Sequence, residues 1–299
     1  MSTTEQRADS AGWAYGLIAY GLWGVLPIYW RAVGHVDPLQ LLAHRVVWTM
    51  PVFVGWVALR GRLPALRAAF SDGSARVRLV AAALLLATNW FVFVYAILTE
   101  RVLDASLGYF INPLVSVALG RVVLAERLRP LQLVAVGLAA VGIGAMAVRM
   151  GGVPWISLAL AASFGGYGLL RKTTSVQPIV GSAFETLVLV VPAVAFVVFC
   201  ESTGTGAMLG GSPSTVALLL ASGIVTAAPL YAFVNAAPRL PLSTLGFLQF
   251  VAPSLQFVLA VAAFGEPLQP ERLLTFGFVW SGVAVFVLDA FRRGRGVPR

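Results

Sequence analysis

The sequence predicts an all-α integral membrane protein of ten transmembrane helices, arranged as a 5+5 inverted repeat. Three observations predict it. First, 59% of the 299 residues are hydrophobic and 11% are charged, with a mean hydropathy of +0.87. A soluble domain carries about 25% charged residues, so this chain lacks the polar skin of a soluble enzyme. Second, the apolar residues fall into long runs without the dyad alternation of barrel strands. Third, a pattern of residues recurs 140 positions further on.

The spans follow from length. A helix needs about 20 mainly apolar residues to cross ~30 Å of hydrocarbon. Ten segments qualify: 11–30, 39–59, 79–98, 104–123, 130–149, 154–171, 178–199, 214–236, 241–263 and 271–290. Polar residues 1–10 precede the first as a tail. That first run is too long for a signal-peptide core and lacks an A-x-A site, so it reads as a span and not a leader. The longest connection, Arg60 to Arg78, holds a polar Ser71-Asp72-Gly73-Ser74 turn. Residues 292–299 form a basic tail.

Charge orients the bundle. The net charge of +9 rests on 21 Lys and Arg against 12 Asp and Glu. Nearly all the basic residues lie between apolar runs, which marks a topology signal and not nucleic-acid binding. With the N-terminus inside, sixteen of the 21 fall on the cytoplasmic side: Arg7, Arg60, Arg62, Arg67, Arg76, Arg78, Arg121, Arg127, Arg129, Arg171, Lys172, Arg239, Arg292, Arg293, Arg295 and Arg299. Four fall on the far side: Arg31, Arg101, Arg149 and Arg272. Arg45 lies within a span. Both termini are therefore expected in the cytoplasm of a cell whose plasma or inner membrane holds the protein.

Chemistry-bearing motifs are sparse. One cysteine and two histidines make neither a disulfide nor a metal cluster of usual spacing. No G-x-x-x-x-G-K-[ST] phosphate loop occurs, which excludes an ATP-driven pump within this chain. No catalytic group, metal or cofactor is implied.

The repeat is the main step toward function. Pro113, Leu119, Glu126, Leu128, Pro130, Leu133, Gly137 and Gly142 recur as Pro253, Leu259, Glu266, Leu268, Pro270, Leu273, Gly277 and Gly282. Trp23-Gly24 matches Phe164-Gly165 and Pro51 matches Pro192, each 141 positions on, while Leu107-Gly108 matches Leu245-Gly246 at 138. Residues 11–149 form one repeat and 150–291 the other. Five spans per repeat is an odd number, so the second copy is inserted upside down. Inverted repeats about a midplane site recur in secondary transporters.

Several strings resemble the RarD branch of the EamA transporters, in the drug/metabolite transporter superfamily. They are Gly24-Val25-Leu26-Pro27-Ile28-Tyr29-Trp30, Ala43-His44-Arg45-Val46-Val47-Trp48, Asn89-Trp90, the run from Ala105 to Leu114, the stretch from Ser163 to Lys172, and Gly246-Phe247-Leu248-Gln249-Phe250. The resemblance covers nearly the whole chain. It implies a ten-helix transporter of the inner membrane whose central cavity opens to one side at a time. It further implies a cavity lined by spans one to four and six to nine, with the fifth and tenth peripheral. The expected activity is export of small amphipathic metabolites or drug-like compounds, secondary active or facilitative. A non-transporting sensor or scaffold and an integral membrane lipid enzyme are the alternatives; the latter lacks a cluster of acid–base groups.

The candidate cavity residues follow from cost. Arg45 lies about 10 Å along the second span at 1.5 Å per residue, and a mid-helix Arg costs ~2.5–3.5 kcal/mol on insertion scales. It reads as a cation for an anionic or zwitterionic solute, or else as a snorkelling or structurally paired group. Glu185, at the equivalent place in the seventh span, could take up a proton or join a structural network; the inverted geometry puts it nearer the inner face and Arg45 nearer the outer, which argues against direct contact. His44 suits proton relay or hydrogen bonding. Protons are the coupling ion considered. Asn89, Trp90, Tyr109 and Asn112, with Tyr167, Tyr231 and Gln249 in the second half, suit an amphipathic solute or serve as helix–helix glue. Gly108 with Pro113, and Gly246 with Pro253, mark expected kinks or hinges. The Glu126-x-Leu128-x-Pro130 motif and its copy read as structural, with Glu near the positive end of the next helix. Trp13, Tyr29, Trp30 and Trp155 read as interface anchors.

Overall fold

Each of the ten apolar segments is helical. The structure, a computed structural model, describes residues 10–149, 154–265 and 270–295. Its helices are α1 (Ser10–Val33), α2 (Pro38–Leu59), α3 (Leu63–Ser71), α4 (Gly73–Leu98), α5 (Val102–Val122), α6 (Pro130–Arg149), α7 (Trp155–Thr173), α8 (Pro178–Ser202), α9 (Pro213–Ala236), α10 (Leu242–Gln249), α11 (Val251–Ala262) and α12 (Pro270–Arg295). Helices satisfy their own backbone groups, which is what a hydrocarbon environment demands.

By length and apolarity, seven described spans suffice to cross a membrane: α1, α2, α4, α5, α8, α9 and α10–α11 taken together. α6 and α12 carry shorter apolar stretches, Pro130–Ala145 and Phe276–Asp289. The architecture is thus that of a multi-pass membrane protein. The count of ten crossings goes beyond what length alone supports.

Local chemistry sets the helix starts. Pro38, Pro178 and Pro213 occupy first-turn positions, where a missing N–H costs nothing. The Asp37 carboxylate accepts from the amides of Leu39 and Gln40 at 2.9 and 3.0 Å, and Ser212 caps α9 through the Thr215 amide at 3.2 Å.

The connection from Arg60 to Arg78 differs from the sequence expectation. It holds the nine-residue helix α3, whose buried Leu66 and Ala69 lie on one face, three residues apart. Asp72 then caps α4, so the third span starts at Gly73 and not near residue 79. At the chain ends, α1 begins at Ser10 and α12 runs through Arg295.

Helix pairing follows an exchange of the two halves. α1 packs on α9 as α4 packs on α7, and α5 packs on α7 as α11 packs on α1. α2 with α8, α5 with α10, and α6 with α12 each pair an element with its own counterpart. Matched small residues set the spacing. A Cβ at Gly24 would lie 2.7 Å from Leu255 Cβ, and one at Gly165 would lie 2.9 Å from Val115 Cγ1. Gly24 and Gly165 are repeat partners, and so are Val115 and Leu255. Trp23 and its partner Phe164 meet edge-on, with ring centroids 5.6 Å apart.

The proline expectations separate. α5 continues through Pro113 without a break. The ninth span breaks at Phe250, between α10 and α11. Pro253 has no N–H for the Gln249 carbonyl four residues back, and its ring crowds that carbonyl; Gln249 is the last residue of α10. Gly108 and Gly246 are close-packing positions: a Cβ would meet Leu160 Cβ at 3.1 Å and the Pro113 carbonyl at 2.8 Å, respectively.

Candidate functional site: a cavity between the two halves

A cavity of about 340 Å³ lies between the halves, lined from α1, α2, α4, α5, α7, α10 and α11. It occupies the part of the bundle away from the arginine-rich connections. Its wall is aromatic (Tyr20, Trp23, Trp30, Trp90, Phe93, Tyr109, Phe164), with amides at Asn89, Asn112, Gln249 and Gln256. α8 and α9 contribute no lining residue, whereas the resemblance implied that they would.

Arg45 is the one charged residue among the described residues of this lining. Two turns into α2, it is 9% exposed. Its guanidinium carbon lies 4.7 Å from the Trp30 ring centroid and 5.0 Å from that of Trp90. Its Nε donates to Thr226 Oγ1 at 3.1 Å. No carboxylate offsets it among the described residues of the lining. A desolvated cation over indole faces is held by the ring quadrupoles, at about 2 kcal/mol or more when desolvated. Held this way, the guanidinium keeps its terminal donors for an anion.

The polar groups around it are partly unspent. Asn89 Nδ2 donates to the Leu160 carbonyl at 2.9 Å and to Ser163 Oγ at 3.1 Å, which ties α4 to α7. Gln249 Nε2 donates to Ser116 Oγ at 3.0 Å. Among the described residues, Asn112 Oδ1, Gln249 Oε1 and the Tyr20 hydroxyl are buried without a hydrogen-bond partner. Buried polar atoms are normally paired, so three orphans on one cavity wall mark places where a solute or water can bond. Pro27 adds another device: it leaves the Trp23 carbonyl without a helical donor, and Gln256 Nε2 donates to it at 3.2 Å.

Of the residues singled out from sequence, Arg45, Asn89, Trp90, Gly108, Tyr109, Asn112, Gln249 and Pro253 line the cavity. The others lie elsewhere. His44 is 2% exposed, and its Nδ1 accepts from Trp48 Nε1 at 3.3 Å. Tyr231 packs against Trp56 and Tyr15. Pro113 and Gly246 sit at the α5–α10 contact.

Glu185 is also elsewhere. It is held by Arg171, whose Nη1 lies 3.0 Å from Oε1, while the Tyr167 hydroxyl donates to Oε2 at 3.2 Å. Both charged side chains are buried, at 1% and 3% exposure. Arg171 Nη2 donates to the Pro178 carbonyl at 2.6 Å. Arg171, counted from sequence on the cytoplasmic side, therefore belongs to a buried network. Glu185 touches only a water-sized void, about 10 Å³, of which Trp90 forms a wall shared with the main cavity.

Sequence reasoning missed Trp30 and Thr226 as site residues. Its place near a span end suggests an interface anchor for Trp30, yet it sits two turns after Trp23 and so on the same face of α1; both line the cavity. Thr226 carries no local signal.

These features define a multi-pass membrane transporter. The sequence profile of the EamA-like transporter family matches residues 10–148. An uncharacterised transporter of Vibrio cholerae is 40% identical over 99% of this chain and 98% of its own. The RarD protein of Streptomyces exfoliatus is 41% identical over 97% of this chain and 91% of its own. The chain belongs to the EamA family, in its RarD branch. A solved crystal structure aligns with a TM-score of 0.73 at 22% identity, covering 95% of this chain and 99% of that one, and shows the same fold.

Proposed function

We propose that the chain exports small amphipathic solutes carrying an anionic group, by alternating access of the cavity, across ten crossings with both termini cytoplasmic. The observation that carries this reading is the uncompensated Arg45 between two indole faces. An anionic group would dock on its terminal nitrogens, an apolar body would lie on the aromatic wall, and N–H donors would meet Asn112 Oδ1 and Gln249 Oε1. The arginine-rich end supports the orientation through the positive-inside rule.

The solute's own gradient drives the flux in this reading. The proton carriers considered from sequence, Glu185 and His44, both stand outside the cavity lining, which favours facilitative movement over proton exchange. Proteoliposomes loaded with candidate amphipathic carboxylates test it. Saturable efflux that ignores an imposed pH gradient is the expected result. Efflux that follows the pH gradient would move the coupling back to Glu185 or His44.

A further inference from the structure

Glu126 does not serve the helix that follows it. Its Oε1 accepts from the Leu242 amide at 2.6 Å, and its Oε2 accepts from the Ser243 amide at 3.0 Å and the Ser243 hydroxyl at 2.7 Å. Those are the first amides of α10, in the other repeat. Helix N-termini leave such donors unsatisfied and attract negative charge. The residue at the cap position, Pro241, makes no side-chain cap, so the carboxylate from the first half supplies what the second half lacks.

The surroundings are fitted to this contact. Ala125 adopts the left-handed region (φ 53°) to turn the chain toward α10. A Cβ at Gly120 would lie 2.7 Å from Glu126 Oε2 and 3.3 Å from the Ser243 amide nitrogen, so a larger residue there would displace the contact. On the other side of the α9–α10 turn, Lys172 Nζ donates to the Leu240 carbonyl at 2.5 Å and to that of Ala237 at 3.5 Å. Opposite charges thus grip the two ends of one turn. From there α5 and α10 run together to the cavity, through Gly246 on Val117 and the Ser116–Gln249 bond.

We propose that Glu126 is a positioning residue that latches the arginine-rich end shut by joining the α5–α6 connection of one repeat to α10 of the other, and that it must release for the cavity to open at that end. The proposal rests on the alternating-access reading above. Its test needs no solute, so a failed solute screen and a failed latch give different results.

The experiment is thiol labelling of the full chain in nanodiscs, where a charged, water-soluble reagent reaches both ends. Cys200, the one native cysteine, is replaced by Ala. Val117→Cys reports the latched end and Ser106→Cys reports the cavity. Adding Glu126→Ala should speed Val117→Cys labelling about tenfold, because charge-assisted hydrogen bonds to buried amides are lost, and should slow Ser106→Cys labelling. Glu126→Gln, which keeps an acceptor oxygen and the side-chain volume, should shift both rates the same way by less. Unchanged Val117→Cys labelling would overturn the proposal. So would acceleration at both reporters in the Gln variant, which would mark a merely structural cap.

Discussion

Trp30 and Arg171 occupy matching places in the two halves, 141 positions apart, and each meets a charged residue of the span that follows its own. Trp30 offers its ring to Arg45, 4.7 Å from the guanidinium carbon, whereas Arg171 forms an ion pair with Glu185 at 3.0 Å. One backbone symmetry thus carries two chemistries. Around Arg45 there is a cavity and an unspent cation. Around Glu185 there is a sealed pair and room for about one water.

The sealed pair predicts a strong single-mutant effect. Removing one member of a buried ion pair strands the other, at a cost of about 3–5 kcal/mol. Arg171→Met should lower thermal stability sharply, and so should Glu185→Leu. Arg171→Met combined with Glu185→Leu should recover much of the loss. A thermal-shift cycle on detergent-solubilised protein checks this, and additive losses would show that the pair does not act as a unit.

Glycine substitutions should sort by contact. Gly246→Ala places a Cβ 2.8 Å from the Pro113 carbonyl, against backbone that cannot rotate away. It should destabilise by about 1–3 kcal/mol, as overpacking does. Gly137 faces open space, so Gly137→Ala should be neutral or stabilise by up to about 1 kcal/mol through helix propensity. Melting temperatures of the two variants, measured side by side, give the comparison.

The α4 cap should depend on pH. Hydrogen bonds from the Ala75 amide, then from Ser74, hold the Asp72 carboxyl below its usual range. A carboxyl lowered by folding contributes stability that is present above its unfolded pKa and lost as pH falls through the folded one. Amide exchange at Ser74 and Ala75, corrected for intrinsic rates, should therefore rise in that acid window. In Asp72→Asn, whose side-chain oxygen does not titrate, the rise should be absent.

Sequence showed the helices and the one unburied-looking cost, and it did so for separate physical reasons. An apolar run of span length announces itself without any partner. Arg45 stood out because a cation within such a run needs a reason. Arg171 was hidden because a basic residue in the last turn of α7 fits ordinary helix-dipole and topology expectations; only packing reveals that it turns inward to Glu185. Glu126 was hidden differently. Its spacing to Pro130 suggested a local role, while its partners lie more than a hundred residues away at Leu242 and Ser243. Its copy at Glu266 falls outside the described residues. The break at Phe250 was legible in Pro253, but the unbroken course of α5 past Pro113 depends on tertiary support that no single residue reports.

Arg45 carries the central claim, and substituting it tests that claim most directly. Efflux of an amphipathic carboxylate from proteoliposomes should be compared among wild type, Arg45→Lys and Arg45→Ala at matched reconstitution and equal melting temperature. A lysine keeps the charge but loses the planar fork that spans Trp30, Trp90 and Thr226. The account predicts partial flux for Arg45→Lys and a loss of at least about tenfold for Arg45→Ala, the loss expected when a charged hydrogen bond to the solute disappears. Wild-type flux through Arg45→Ala would contradict it.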